Sequence, residues 1–263
     1  MSMNLLKISL FYFACLFATE PCAATIFAID HRTSGGVDAA RFYPVGLVLS
    51  GQRWASGFLV SPCHILSVRH VIDGEPTERI LGVSVKFRVY HTSEMISSHG
   101  IVVQTGLVSP ADPPGLLPRR DWIIVRLDKC LGRSVGFLKL SSRSILEDLF
   151  GLPERPILQS AGYPFDKLRG REPIVDPQCH ILAYSEFTLH HDCATLPGNS
   201  GSPIVKIDKE GKAVVVAIIT NGNNRIAGSY SFREANLAAP VSIIQAALQD
   251  VVMRDDLRDR LTR

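Results

Sequence analysis

Ser200 stands in the run Leu196-Pro197-Gly198-Asn199-Ser200-Gly201-Ser202-Pro203, where two glycines let backbone N–H groups crowd round one small hydroxyl. A serine in water is a poor nucleophile. It becomes reactive when a neighbouring base takes its proton and donors are aimed at the oxyanion formed by its attack on a carbonyl. The N–H groups of Gly198 and Ser200 are the candidate donors. Taken alone, the run fits any tight loop equally well, because Gly, Asn and Ser are the usual turn residues. The chemistry therefore requires a base, for which histidine is the natural choice, and all eight histidines (His31, His64, His70, His91, His99, His180, His190, His191) precede Ser200.

That chain order excludes the α/β-hydrolase arrangement, in which acid and histidine follow the serine and a glycine occupies the place Ser202 holds here. The order His, Asp, Ser remains open, and so does Asp, His, Ser, since Asp30 and Asp38 precede His70. The segment from Trp54 to Val71 reads as strand, turn, strand, with His70 just past the second strand. His64, in the same segment, is the alternative base. Asp121 opens the apolar run Trp122 to Leu127, with Asp112 and Asp128 as alternative acids. Each of these has a plainer explanation when read singly, as a surface histidine or as a solvated carboxylate beside Arg119 and Arg120.

The elements that must position these groups are mostly strands. Val45 to Leu49, Gly57 to Val60, Val83 to Tyr90, Ile101 to Val108 and Trp122 to Leu127 are short runs rich in Val, Ile, Phe and Tyr. Gly, Pro, Ser and Asp punctuate them, which points to an antiparallel sandwich or barrel instead of alternating βα units. After a looser stretch from Gly132 to Pro156, a second set follows at Ile157 to Tyr163, His180 to Ser185, Pro203 to Ile207 and Ala213 to Thr220. Two β units result. Beyond Pro240, Val241, Ile244, Leu248 and Val252 recur at helical spacing, which predicts one closing helix packed on a β unit.

The 263 residues suffice for one large domain or two small ones, and 46% hydrophobic against 20% charged residues argues for a folded globular chain. No internal repeat is evident. The formal charge of +3, from 28 basic and 25 acidic residues scattered along the chain, leaves no electrostatic footprint for nucleic acid.

Residues 1–24 have the pattern of an export signal: Lys7, the apolar run Ile8 to Ala18, then the small residues Cys22 and Ala24 before a cut. The run is too short for a spanning helix, which needs about 20 apolar residues. A secreted or periplasmic protein without stable membrane insertion is expected. Removal of Cys15 and Cys22 leaves Cys63, Cys130, Cys179 and Cys193 in an oxidising compartment, so two disulfides are expected. Three connectivities exist; pairing Cys179 with Cys193 closes a short loop and leaves Cys63 with Cys130 across a long one. A metal site built from these cysteines and the adjacent histidines lacks the usual CxxC or HxxxH spacing, so none is expected.

Three flanking patterns now converge on one family. Gly57-Phe58-Leu59-Val60 followed by Ile65-Leu66-Ser67-Val68-Arg69-His70 resembles the surroundings of the general base in trypsin-like, chymotrypsin-fold serine proteases. Asp121-Trp122-Ile123-Ile124-Val125-Arg126-Leu127 is similar to that family's acid-bearing strand, and Gly198 to Pro203 to its nucleophile loop. The resemblance spans roughly Ile26 to Ala247 and is nearest the secreted bacterial branch similar to glutamyl endopeptidases, also through Ile29 to Arg32 and Tyr43-Pro44. It implies an all-β protein of two antiparallel barrels and a C-terminal helix. Residues 25–140 would form the barrel carrying His70 and Asp121, and residues 141–263 the barrel carrying Ser200. His70 would act as base, Asp121 as its orienting partner and Ser200 as nucleophile, with Gly198 and Ser200 N–H groups as oxyanion hole. No cofactor or metal is implied. The partner would be a polypeptide substrate, met by a monomer.

The resemblance also has departures. Asn199 cannot make the charge pair that an Asp makes with a freshly cut N-terminus in trypsin-like zymogens. Val68-Arg69 replaces the usual two alanines before the histidine. By the same likeness the primary pocket would be lined by Ala194, Thr195, Ile219, Thr220 and Gly222. An uncharged Ala194 removes the preference for Lys or Arg, Ile219 replaces a histidine used for Glu, and a small or apolar side chain is expected. Thr220 would replace the serine that bonds the catalytic Asp. Arg225 and Arg233 are nearby loop charges. The alternatives are an inactive member kept as a binding module and an esterase on the same scaffold.

Overall fold

The computed structural model describes residues 25–27, 30–34, 39–72, 80–92, 94–106, 118–144, 146–150, 156–167, 173–185, 188–221, 225–227 and 235–261. The export segment expected over residues 1–24 lies outside them.

The chain enters through two short strands, β1 (Thr25–Phe27) and β2 (Thr33–Ser34). Six strands then follow: β3 (Val45–Ser50), β4 (Arg53–Leu59), β5 (His64–Ser67), β6 (Ser84–His91), β7 (Glu94–Thr105) and β8 (Ile123–Leu127). They close into a barrel in the order β3-β4-β5-β8-β7-β6, which leaves no unpaired edge. Val85, Phe87 and Val89 alternate inward along β6 and meet Val48, Phe58, Ile65, Leu66 and Val125 in the core. β7 begins earlier than the apolar pattern indicates. Its first half contains Ser97, Ser98 and His99, and cross-strand pairing with β6, from Tyr90↔Met95 to Ser84↔Ile101, extends the strand through those polar residues.

A turn of helix, α1 (Gly132–Val135), leads to β9 (Lys139–Leu140). The second half comprises β10 (Leu158–Gly162), β11 (Ile174–Cys179), β12 (Ile181–Ser185), β13 (Thr188–His191), β14 (Pro203–Ile207), β15 (Ala213–Asn221), β16 (Arg225–Ala227) and β17 (Asn236–Pro240). Among the described residues the expected second β unit is a nine-stranded sheet with the order β12-β13-β17-β15-β14-β10-β11-β2, β9 lying beside β15. β2 pairs with β11, β1 with β16 and β9 with β15, so these three strands join strands of the second half. The reason is local: β2 covers the outer edge of β11, and the buried Arg32 is held by Asp30 at 2.9 Å and Asp166 at 2.6 Å.

The closing helix α2 (Gln245–Leu261) buries Leu248 and Val251 in the same core as the first barrel's residues. It reaches back to that barrel through Asp255, whose Oδ2 lies 2.8 Å from His64 Nε2. Both expected disulfides, Cys63–Cys130 and Cys179–Cys193, are present.

Candidate active site

β5 ends at Ser67, and a single 3-10 turn, Arg69–Val71, carries His70 onto the barrel rim with its side chain 49% exposed. Asp121 lies just before β8. Because β8 runs antiparallel to β5, with Ser67 opposite Ile123, the end of one strand meets the start of the other. The Asp121 carboxylate accepts the His70 backbone N–H at Oδ1, 3.0 Å away, and pairs with Nδ1 at Oδ2, 2.6 Å away. An ionised carboxylate can only accept, so the ring proton belongs on Nδ1 and Nε2 keeps its lone pair. A general base needs that tautomer.

The alternative base is spent. His64 is buried, with Nδ1 2.7 Å from Ser61 Oγ and Nε2 on Asp255. Asp128 begins beyond the far end of β8, where its N–H donates to His99. Asp112 lies outside the described residues.

The Ser200 turn is clamped from two sides. On the β4 side, the Ser56 N–H donates to the Ser200 carbonyl at 2.8 Å, and Ser56 Oγ donates to the Gly198 carbonyl at 2.7 Å. On the β15 side, the Gly201 N–H donates to Ile219 at 2.7 Å and the Ile219 N–H to Ser202 at 2.9 Å. Gly198 and Gly201 have φ of +97° and +86°, and any side chain there would run into the carbonyls of Tyr163 and Ser56 respectively. The N–H groups of Asn199, Gly201 and Ser202 are spent on carbonyls. Among the described residues, those of Gly198 and Ser200 have no acceptor. From Gly198 to Gly201 unspent and spent donors alternate, so two N–H groups of the turn stand available to an oxyanion. Asn199 is buried, and its Oδ1 has no partner among the described residues. No hydrogen bond joins Ser200 Oγ to His70 among the described residues; in unliganded sites such bonds are often long and tighten with substrate.

Ser56 was not anticipated by sequence reasoning. Its hydroxyl also accepts the Tyr163 N–H at 2.8 Å, and the Ser67 hydroxyl donates to its carbonyl at 2.7 Å. A buried serine inside an otherwise apolar strand was the available signal, and it points to a polar contact without saying with what.

Of the expected pocket residues, Ala194, Thr195, Ile219 and Thr220 are all buried, and Gly222 lies outside the described residues. The Ala194 N–H donates to Asp176 Oδ2 at 2.7 Å, and the Gln178 N–H to Oδ1 at 3.3 Å. Burial pushes the Asp176 carboxyl up to about 6, against the two N–H donors and Arg32, which favour its charge. Thr195 donates to the Cys193 carbonyl at 3.0 Å. Thr220 donates to the Leu237 carbonyl at 3.2 Å and not to Asp121, because β15 is paired with β17 at this point. The buried Asn236, which the sequence did not flag, donates from Nδ2 to the Cys193 carbonyl at 2.9 Å. Only the register of β13, β17 and β15 brings it there. Beside the His70–Asp121 pair, Arg69 has its Nε buried without a partner among the described residues. Burial works against the charge of this guanidinium while Asp121 supports it.

Three comparisons with known proteins bear on this arrangement. The family model described as Trypsin matches residues 34–246. A solved structure of Glu endopeptidase in complex with MPD matches with a TM-score of 0.60 at 17% identity, covering 84% of this chain and 98% of that one. At that identity the likeness is one of fold. No curated protein matches the sequence.

Proposed function

The chain belongs to the trypsin family of serine endopeptidases, and from that premise we propose that it is an exported protease cutting polypeptides through an acyl-enzyme built on Ser200, His70 and Asp121. The observation that carries this reading is the double contact of Asp121 with the His70 backbone and ring, which leaves Nε2 as a proton acceptor. Ser200 Oγ attacks the scissile carbonyl while His70 Nε2 takes its proton. The tetrahedral oxyanion accepts from the Gly198 and Ser200 N–H groups. His70 then protonates the leaving amine, and a water activated by the same imidazole frees the acyl half. Asp121 stabilises the imidazolium in each half-reaction.

The turn closes on its own hydrogen bonds, which supports a site preformed without a charge pair at Asn199. The four described pocket residues carry no charge, and Asp176 is engaged by Ala194 and Gln178, which favours a small or apolar side chain before the cut. Two disulfides agree with an oxidising destination, the periplasm or the medium.

A fluorophosphonate probe tests the reading. Wild-type protein is expected to be labelled covalently, and Ser200→Ala and His70→Ala to lose the label. An oxidised, folded wild type that takes no label would instead make the chain a binding module.

A further inference from the structure

Arg32, just before β2, is only 4% exposed, and a protein interior holds a guanidinium charge only where it is paired. Two carboxylates pair it edge by edge. Nε and Nη2 lie 2.9 and 3.0 Å from the Asp30 oxygens, and Nη1 and Nη2 lie 3.1 and 2.6 Å from those of Asp166. Lys167 Nζ completes the cluster, 3.1 Å from Asp30 Oδ2 and 3.2 Å from the Arg32 carbonyl, so that two cations balance two anions. A planar fork gripped along two edges has one orientation open to it, which a lysine could not reproduce.

The segments that meet at Arg32 continue to the nucleophile loop on two sides. Asp166 follows Phe165, whose N–H donates to the Pro197 carbonyl at 2.8 Å. Two residues before Phe165, the Tyr163 N–H donates to Ser56 Oγ, the group that holds the Gly198 carbonyl. On the other side, the register of β2 with β11 sets Thr33 opposite Val175 and brings Asp176 beside Arg32, and Asp176 Oδ2 accepts the Ala194 N–H at 2.7 Å. Residues 194–198, which lead into the oxyanion donors, are thus fastened at their start and near their end to neighbours of one buried cation.

Resting on the protease reading above, we propose that Arg32 is a positioning residue for the oxyanion hole: by fixing Asp166 and Asp176 it fixes the path of residues 194–198, and with it the aim of the Gly198 and Ser200 N–H groups. It acts through these neighbours and touches neither substrate nor reacting atoms. Donors aimed in advance need no reorganisation when negative charge develops, so the benefit falls on the tetrahedral state and far less on the bound substrate. The orienting charge is internal to the chain and lies beyond the far side of the loop from Ser200, which accords with a neutral Asn199 inside the turn.

The test uses the mature, oxidised protein with Asp166→Asn, Arg32→Lys and Arg32→Met, the end point of fluorophosphonate labelling counting the active molecules. Three quantities are read: kcat and KM for one peptide substrate, the affinity of a peptide aldehyde, whose adduct with Ser200 puts an oxyanion in the hole, and that of the matching peptide alcohol, which forms none. Outright loss of one donor lowers kcat about 100- to 1,000-fold, so misaimed donors are expected to lower it, per active molecule, about tenfold in Asp166→Asn and Arg32→Lys and about 100-fold in Arg32→Met, with KM changing less than about threefold. Aldehyde affinity is expected to fall in step with kcat while alcohol affinity holds. A purely structural role would reduce the number of labelled molecules and leave kcat and the aldehyde-to-alcohol ratio of the remainder unchanged, and that result overturns the proposal. Where Arg32→Met fails to fold, Asp166→Asn decides, because the Asp166 side chain is 35% exposed and Arg32 keeps Asp30. A second measurement does not need turnover. The Asn199, Gly201 and Ser202 amides are expected to exchange about tenfold faster in Asp166→Asn than in wild type, and unchanged exchange overturns the positioning role. Faster exchange in a protein whose wild type never takes the label would sink the catalytic reading and leave Arg32 as the anchor of the turn.

Discussion

Ser56→Ala tests the packing argument most directly, because one oxygen joins the two halves of the molecule. The Ser56 hydroxyl accepts the Tyr163 N–H at 2.8 Å and donates to the Gly198 carbonyl at 2.7 Å, in a side chain with no exposed surface. Alanine leaves a buried N–H and a part-buried C=O without partners. Each such loss costs about 1–3 kcal/mol, so the substitution is expected to destabilise the fold by about 2–6 kcal/mol. The second consequence is catalytic. The Gly198 carbonyl belongs to the peptide preceding Asn199, and its anchor sets the orientation of the turn that carries both oxyanion donors. Complete loss of one donor costs about 100- to 1,000-fold in kcat, so a loosened turn should cost about 10- to 100-fold with KM changing much less. Urea unfolding measures the first effect, and steady-state kinetics with fluorophosphonate labelling rates measure the second. An unchanged unfolding midpoint together with an unchanged kcat would refute the reasoning, since the bonds would then carry neither stability nor orientation.

Two further outcomes follow from buried titratable groups. The Asp176 carboxyl is raised from 3.8 to about 6, so between those values the folded protein holds a proton that the unfolded chain has released. Its contribution to stability is full below about pH 4 and is lost as pH rises through 6, an effect on the order of 3 kcal/mol. The stability of wild type minus that of Asp176→Asn should therefore fall by that amount from pH 4 to pH 8 in urea titrations; a rise would reverse the assigned cause. His64 bridges Ser61 and Asp255 at 2.7 Å and 2.8 Å, tying α2 to the first barrel. His64→Ala should cost about 2–3 kcal/mol and speed amide exchange along the last turns of α2, while Ser200 labelling persists. Loss of labelling with a stable α2 would instead assign His64 to the catalytic site.

Much of this was legible in local patterns. The apolar runs at 45–49, 122–127 and 213–220 correspond to β3, β8 and β15 because each pairs on both sides in a sheet interior, where a strand must be apolar to be buried. The glycines of the Ser200 turn were readable because their backbone conformations admit little else. β11, β13 and β17 were not, since their residues include Asp176, Gln178, His190, His191 and Asn236, which take strand conformation from their neighbours and not from any alternation of their own. The allocation of β1, β2 and β9 to the second half was equally hidden, because pairing at a sheet edge depends on which edge is vacant.

The amino-acid order alone determined the types of group available for the chemistry, their succession along the chain, the number of disulfides and the turn able to present a serine, since each follows from side-chain chemistry or short-range backbone sterics. Tertiary structure decided that His64 serves the closing helix while His70 meets Asp121, that Thr220 bonds Leu237, and that Ser56 anchors the turn of the nucleophile. Those outcomes depend on strand register and on contacts between residues far apart in the chain, where shifting a strand by one residue turns every side chain to the opposite face.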